Sequence, residues 1–349
     1  MFKEMKVAVV GGTGYGAVEL TRFLHHHPYV KLEQVISHSQ AGVALSQVYP
    51  HLITIVDQPM DELKLDEMID NVDLIFFATP TSVSSKLAPS FIEQGIICID
   101  LSGDFRLNNR EQYQDWYGYQ AADQLYLDQA VYGLSEIYRE QIKKARLIAN
   151  PGCYPTATLL GLIPALQSNK IKASSIIVDG KTGTSGAGRS TSLTMHYSEM
   201  NENVVAYQLG QHKHIPEMER YLSETVDQPI QLNFTPHIVP MTRGIMTTIY
   251  ADLAKEISQA ELIERYQTFY QDDPFIRIRS NGTIPATKHV YGSNYCDIAL
   301  HIDQRTGKLI VVSVIDNLVK GAAGQAIQNM NILFNWDEQT GLNQIPLYP

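Results

Sequence analysis

Lys6-Val7-Ala8-Val9-Val10-Gly11-Gly12-Thr13-Gly14-Tyr15-Gly16-Ala17 passes from an apolar run through a glycine cluster into a helical pattern carrying Val18, Leu20, Phe23 and Leu24. A buried strand, a glycine turn and a helix are the parts of a dinucleotide phosphate site. The glycines permit a tight turn and let backbone approach a pyrophosphate, whose charge suits the helix N-terminus. Such a turn can also simply join strand to helix. Its place at the start of a βαβ-like unit favours the dinucleotide reading. Gly11, Gly12, Thr13, Gly14, Tyr15 and Gly16 are therefore cofactor candidates.

Outward from this turn the βα alternation continues. Leu32 to Ile36 reads as a strand, Asp61 to Ile69 as helix, Val72 to Ala78 as strand, Val83 to Gln94 as helix and Ile96 to Leu101 as strand. That order predicts a parallel, doubly wound sheet. The second strand leads into Ser37-His38-Ser39 instead of an acid, and Glu33 stands at its beginning, the wrong end for a ribose contact. Lack of the acid disfavours NAD, and the Ser37 and Ser39 hydroxyls could receive a 2′-phosphate, so NADP is the expected cofactor. Thr79-Pro80-Thr81 leaves the third strand where cofactor would pass, lining the cleft through Thr79 or forming a plain loop. The run His25-His26-His27 before Pro28 suits the negative end of a helix better than a metal, because adjacent helical residues point apart.

The 349 residues predict two domains, and the composition is that of a globular protein. A net charge of −10 without a basic run excludes nucleic acid as the natural partner. Three scattered cysteines (Cys98, Cys153, Cys296) lack metal or disulfide spacing and suit a reducing cytoplasm. The chain starts with a strand pattern rather than a signal peptide, and no apolar run approaches membrane-spanning length. The expectation is a cytoplasmic protein with no metal, no nucleic acid and no membrane.

Chemistry concentrates at Ala149-Asn150-Pro151-Gly152-Cys153-Tyr154-Pro155-Thr156. A strand from Arg146 ends in Asn-Pro-Gly, and a helical apolar pattern opens at the cysteine. A thiol at a helix N-terminus is drawn towards thiolate, the nucleophilic form. The alternative is a small buried hydrophobe. Farther on, Lys181-Thr182-Gly183-Thr184-Ser185-Gly186-Ala187-Gly188-Arg189 makes a loop suited to carboxylate or phosphate, or a flexible loop with a solvated arginine. In Gln211-His212-Lys213-His214-Ile215-Pro216-Glu217, Pro216 and Glu217 open a helix, and one of the two histidines could serve Cys153 as a base. Strands at Ser175 to Asp179, Ile230 to Val239, Gly244 to Leu253, Asn294 to Ile302 and Leu309 to Ile315 surround a helix from Gln259 to Tyr270. The second half thus reads as α+β with a mostly antiparallel sheet. In the final run, Asp316-Asn317-Leu318-Val319-Lys320-Gly321-Ala322-Ala323-Gly324-Gln325, small residues permit close packing against a neighbour or a cofactor.

These motifs together resemble the N-acetyl-γ-glutamyl-phosphate reductases of arginine biosynthesis, relatives of aspartate-semialdehyde dehydrogenase. The resemblance spans nearly the whole chain. It rests on the glycine turn, Ser102-Gly103-Asp104-Phe105-Arg106-Leu107, Asn150 to Thr156, Gly183 to Arg189, His212 to Glu217 and Asp316 to Gln325. It departs at Ala17, where the family usually has Gly, and at Thr79-Pro80-Thr81, where it usually has Pro-His-Gly. The resemblance implies a Cys153 nucleophile, a His212 acid/base, a C-terminal helix that returns to the first domain, and a homodimer or homotetramer. The implied domains are 1–152 plus 318–349, Rossmann-type and NADP-binding, and 153–317, catalytic and oligomerising. Further cofactor contacts then fall at Ser185, Gly186 and Asn317, and substrate contacts at Asn150, Ser102, Arg106, Arg189, His214 and Glu217. The implied reaction is NADPH-dependent reduction of a small acyl phosphate through a Cys153 thioester, with protonated His212 returning a proton or steadying the oxyanion. Its alternatives are a reductase of aspartyl or carrier-bound aminoadipyl phosphate, or a non-catalytic NADP-sensing regulator.

Overall fold

The computed structural model describes residues 4–280 and 282–348. Two compact units divide the chain. The first runs to Pro151 and takes up Ala322–Asn343; the second comprises Gly152–Gly321 and the residues from Gln344 on. Among the described residues no helix is long and apolar enough to cross a membrane.

In the first unit, six strands form one parallel sheet: β1 (Met5–Val10), β2 (Val30–Ile36), β3 (Leu74–Phe77), β4 (Ile97–Asp100), β5 (Val131–Tyr132) and β6 (Leu147–Ala149), ordered β2-β1-β3-β4-β6-β5. The central strands are apolar throughout because both faces are covered: Val7, Ala8, Val9 and all of Leu74–Phe77 are fully buried. The Tyr15–Leu24 and Ser84–Glu93 helices follow β1 and β3. The C-terminal helix Gly324–Leu333 belongs to this unit, tied to the β5–β6 region by Asn329 Nδ2 on Gly133 O (2.8 Å) and Gln325 Nε2 on Gly133 O (2.9 Å).

Two local readings change here. The helix expected from Asp61 begins only at Leu65, and Asp61 instead extends the sheet by bridging Ile36, its N–H on Val35 O and its C=O on Ser37 N–H. The expected helix-end charge fails at His27, which is buried with Nε2 2.9 Å from Asn331 Oδ1 and its ring against Trp336. Burial lowers its pKa, so the neutral ring acts as packing.

The second unit holds β7 (Ile177–Thr182), β8 (Val205–Ala206), β9 (Asn233–Ile238), β10 (Ile245–Asp252), β11 (Ile276–Arg279), β12 (Cys296–Asp303) and β13 (Lys308–Ile315) in the order β11-β12-β13-β10-β7-β9-β8. Pairing is antiparallel except for β7–β9 and β11–β12. The short β8 and the β11 edge strand carried no period strong enough to read in advance. Along β10 burial alternates strictly: Ile245, Thr247, Ile249 and Ala251 face the Cys153–Gln167 helix side, and Met246, Thr248 and Tyr250 lie half-exposed. That helix is buried from Tyr154 to Leu166, which is why its sequence is apolar all round. Gly161 on it lies against Ser313, Ile249 and Val311 of the sheet.

Candidate active site

Each unit contributes a functional region. In the first, the turn after β1 is shaped by space as much as by flexibility. Gly11 adopts φ +98°, and a Cβ there would lie 2.4 Å from Ala78 O. A Cβ on Gly12 would lie 2.5 Å from Val35 Cγ1. Both residues donate their N–H to Ile36 O at 2.9 Å. Gly14 caps the Tyr15–Leu24 helix without a side-chain hydrogen bond, and the first turn holds no acid. A helix N-terminus of this kind suits a phosphate. Thr79 Oγ1, next to the Ala78 carbonyl that limits Gly11, is buried with no hydrogen-bond partner, as a donor awaiting a ligand would be. The residues present therefore fit a dinucleotide. After β2, Ser39 is exposed, whereas Ser37 is buried with Oγ accepting the Gln40 N–H. Glu33 is engaged with Lys31 and Lys6.

The Ser102–Arg106 loop that leaves β4 is a buried polar knot. Asp100 accepts the N–H groups of Ser102, Gly103 and Asp104. Asp104 accepts from Ser82 N, Ser84 Oγ, Ser85 N and Tyr113 Oη. Burial first, and then the Asp104 charge, raise the pKa of Asp100. Arg106 donates Nε to Asn150 O (2.8 Å) and Nη2 to Leu101 O (2.9 Å). The Asn150 amide donates to Ala322 O and accepts from Asn329. Ser102 Oγ lies 2.9 Å from Ser84 Oγ. All three sequence candidates here, Asn150, Ser102 and Arg106, thus engage neighbouring protein groups.

In the second unit the site gathers around Cys153, the first residue of its helix, with Gly152 as N-cap in extended conformation. The Gly152 N–H donates to Glu217 Oε1 at 2.8 Å, and Glu217 is fully buried. The Glu217 carboxylate, 65 residues away in sequence, therefore holds the turn that presents the thiol. Gly321 packs so closely that a Cβ on it would come within 2.7 Å of Cys153 Cβ. It lies in a π-helical turn, Val319–Ala323, with its N–H on Asp316 O. The Asp316 side chain accepts the N–H groups of Gly292, Leu318 and Val319. π-turns recur at functional sites.

An aromatic cage surrounds the histidines. Tyr154 contacts the rings of His212, His214 and Phe234 edge-on at 5.8, 6.2 and 5.0 Å between centroids. A Cβ on Gly180 would lie 2.5 Å from the Tyr154 ring, so the β7 glycine makes room for it. Tyr207 Oη lies 3.4 Å from His212 Nε2. Burial, and then the Cys153 charge, raise the pKa of Tyr207. His212 Nδ1 accepts the His214 backbone N–H at 3.1 Å. Burial, then Lys213, bring His212 down to about 4. Burial thus favours the neutral ring in the chain by itself.

The remaining candidates have other surroundings. Asn317 Nδ2 donates to Ser185 Oγ (3.0 Å) and Asn317 Oδ1 accepts the Gly244 N–H (2.8 Å), bracing the Gly183–Gly188 loop. Gly186 and Arg189 are exposed, and Ser185 is buried. Tyr207, Gly321 and Phe234 escaped the sequence reading. Tyr207 sits in an otherwise exposed loop with no periodic signal, and Gly321 is one small residue among several. Among the described residues no group of His, Cys, Asp and Glu could hold a metal.

Comparison with known proteins decides the family. Residues 6–145 match the semialdehyde dehydrogenase NAD-binding domain, and residues 153–317 match the semialdehyde dehydrogenase dimerisation domain. The N-acetyl-gamma-glutamyl-phosphate reductase of Oceanobacillus iheyensis is 52% identical over 345 residues, covering 99% of each chain. That of a Geobacillus species is 53% identical over 345 residues, covering 99% of this chain and 100% of the relative. The chain belongs to the N-acetyl-γ-glutamyl-phosphate reductases. Like its family, it is an enzyme built on a nicotinamide-nucleotide domain. Two solved structures share the fold. Aspartate semialdehyde dehydrogenase II from Vibrio cholerae, complexed with ASA, superposes with a TM-score of 0.72 at 18% identity over 95% of this chain and 98% of the other. Aspartate semialdehyde dehydrogenase with NADP from Candida albicans gives 0.70 at 16% identity, over 95% and 98%.

Proposed function

We propose that the protein reduces N-acetyl-γ-glutamyl phosphate to N-acetylglutamate semialdehyde and phosphate, as a step of arginine biosynthesis. The observation that carries this reading is Cys153 on the first turn of its helix, its turn held by Glu217, in a chain about half identical to reductases of that name. Cys153 attacks the acyl carbon, the bond to the phosphoryl oxygen breaks, and a thioester remains on the enzyme. The Gly11–Gly16 turn would hold a nicotinamide cofactor, which when bound would supply hydride chemistry for the acyl group. The helix N-terminus favours the thiolate, and His212 Nε2 and Tyr207 Oη are the donors available to a developing oxyanion. Arg189, the Ser185 loop and His214 are our candidates for the substrate carboxylate or phosphate.

The preference for NADP over NAD rests on the Ser37-His38-Ser39 ending of β2 and on Glu33 being engaged with two lysines away from that end. We take the half-exposed face of the second sheet, with Met246, Thr248 and Tyr250, as the surface that joins copies of the chain, in keeping with the name of the matching domain. Placement in the cytoplasm follows the cysteine pattern.

The test runs the reaction backwards, following NADPH formed from NADP, phosphate and N-acetylglutamate semialdehyde, with aspartate semialdehyde alongside. Turnover of the first substrate and its loss in Cys153→Ser support the reading. Turnover of the second alone, or near-normal activity in Cys153→Ser, overturns it.

A further inference from the structure

Asn150 is fully buried, and both its backbone and its side chain are engaged by the protein. Its N–H donates to Asp100 O (2.8 Å) and its C=O accepts Arg106 Nε (2.8 Å). In the side chain, Oδ1 accepts Asn329 Nδ2 (3.1 Å) and Nδ2 donates to Ala322 O (3.1 Å). Asn329 lies inside the Gly324–Leu333 helix. Asparagine is a poor helix former, and burying its amide is unfavourable unless both ends are bonded. Both ends are: Nδ2 donates also to Gly133 O (2.8 Å), and Oδ1 accepts Ser135 Oγ (2.8 Å). A Cβ on Gly133 would stand 2.4 Å from Asn329 Nδ2, so only glycine admits the amide there. Ser135 Oγ accepts Gln325 Nε2 in turn (2.5 Å). Ser135, Gln325 and Asn329 are all fully buried.

We propose that Asn150 and Asn329 are positioning residues for Cys153, an amide clasp on the two stretches of chain that seat the thiol, and that Asn150 is not a substrate contact. This rests on the reading of Cys153 as the nucleophile. Asn150 stands three residues before Cys153. Ala322 directly follows Gly321, on which a Cβ would come within 2.7 Å of Cys153 Cβ. The bond from Asn150 Nδ2 to Ala322 O therefore ties the approach to the nucleophile to the turn that packs on it. Asn329 holds the Asn150 amide with Oδ1 towards itself and Nδ2 towards Ala322, and Ser135 sets the direction of the Asn329 amide. The amides are uncharged, and the clasp works by direction. Turning either one over would set donor against donor and acceptor against acceptor in a buried setting. A thiol so held is placed before substrate arrives, which is how geometry lowers a barrier.

The test compares Asn150→Ala, Asn329→Ala and the double variant in the reverse assay with N-acetylglutamate semialdehyde. A displaced thiol costs turnover and leaves substrate affinity alone. Each single variant should lose about ten- to a hundredfold in kcat with KM within about threefold of the parent. The double variant should fall no more than about threefold below the weaker single one, because both changes open the same clasp. Parental kcat in either single variant overturns the proposal, as do multiplied losses in the double variant. A KM raised about tenfold with kcat retained makes Asn150 a substrate contact and overturns it too. A second readout needs no substrate: alkylation of Cys153 by iodoacetamide near neutral pH, followed by the mass of its peptide. A thiol loosened from its helix end loses thiolate, so alkylation should slow by about two- to fivefold. An unchanged rate in every variant overturns the proposal. If the alanine variants do not fold, Ser135→Ala decides, since it removes the hydroxyl that holds Asn329 Oδ1. It should lower kcat and the alkylation rate at unchanged KM, and parental values of both overturn the proposal. Failure of the parent to turn over N-acetylglutamate semialdehyde would sink the substrate reading, and the alkylation rates would still decide the clasp.

Discussion

Gly321 and Cys153 are packed so tightly that the smallest side chain cannot fit between them: a Cβ on Gly321 would stand 2.7 Å from Cys153 Cβ and 3.2 Å from its Cα. The glycine turn Val319–Ala323 thus sets where the nucleophile lies. Cys153 opens a helix that is buried from Tyr154 to Leu166 and so has little room to retreat. Gly321→Ala must displace it by several tenths of an ångström or more. Misplacement on the order of 1 Å can cost about 10²-fold in rate. The expected outcome is a fall in kcat of roughly ten- to a hundredfold with a KM change below about threefold. A variant with parental kcat would show that the turn does not position the thiol.

Glu217 gives a second test, through the Gly152 N–H that it accepts in a fully buried setting. Leaving a buried N–H unsatisfied costs about 1–3 kcal/mol. Glu217→Ala should therefore lose at least that much stability in denaturant titration, together with activity. Glu217→Gln retains an acceptor oxygen and should recover most of the stability. Equal losses in both variants would show that the charge, and not the held turn, is what matters.

The cofactor turn separates two glycines by their space. Gly11→Ala meets the Ala78 carbonyl at 2.4 Å from a φ of +98°, a strained conformation costing about 1–3 kcal/mol before any clash. Gly16→Ala meets only the Ala78 methyl at 3.9 Å. Thermal melts should show a large drop for the first and little change for the second. Similar melting of the two would contradict the packing described for this turn.

Two buried histidines make stability depend on pH. His27 and His212 both have folded pKa values lowered by burial from 6.5, the latter to about 4. The neutral ring is the one the fold tolerates, so their contribution is fully present above about pH 6.5 and is lost as pH falls towards the folded values. For His212 the difference of about 2.5 units corresponds to roughly 3 kcal/mol at pH 4. Stability should decline from about pH 6.5 to 4, and His27→Gln, which can keep the bond to Asn331, should show a shallower decline. A parental slope in that variant would remove His27 from the account.

What the sequence determined by itself is local or periodic. The β1 strand, glycine turn and helix, the parallel βα order, and Cys153 opening an apolar helix all follow from neighbouring residues and their period. The mostly antiparallel second sheet was legible for the same reason. Boundaries drifted where a long-range partner took over, as when Asp61 paired with Ile36 rather than starting a helix. Tertiary structure alone decided the character of the site. Glu217 reaches Gly152 across 65 residues, Gly321 sets the seat of Cys153 from the far end of the second unit, and Tyr207 stands beside His212 from an exposed loop. Whether His212 carries a charge depends on burial among Tyr154, His214 and Phe234. Burial belongs to packed neighbours and not to a stretch of chain, so no reading of His212-Lys213-His214 by itself could have placed its proton.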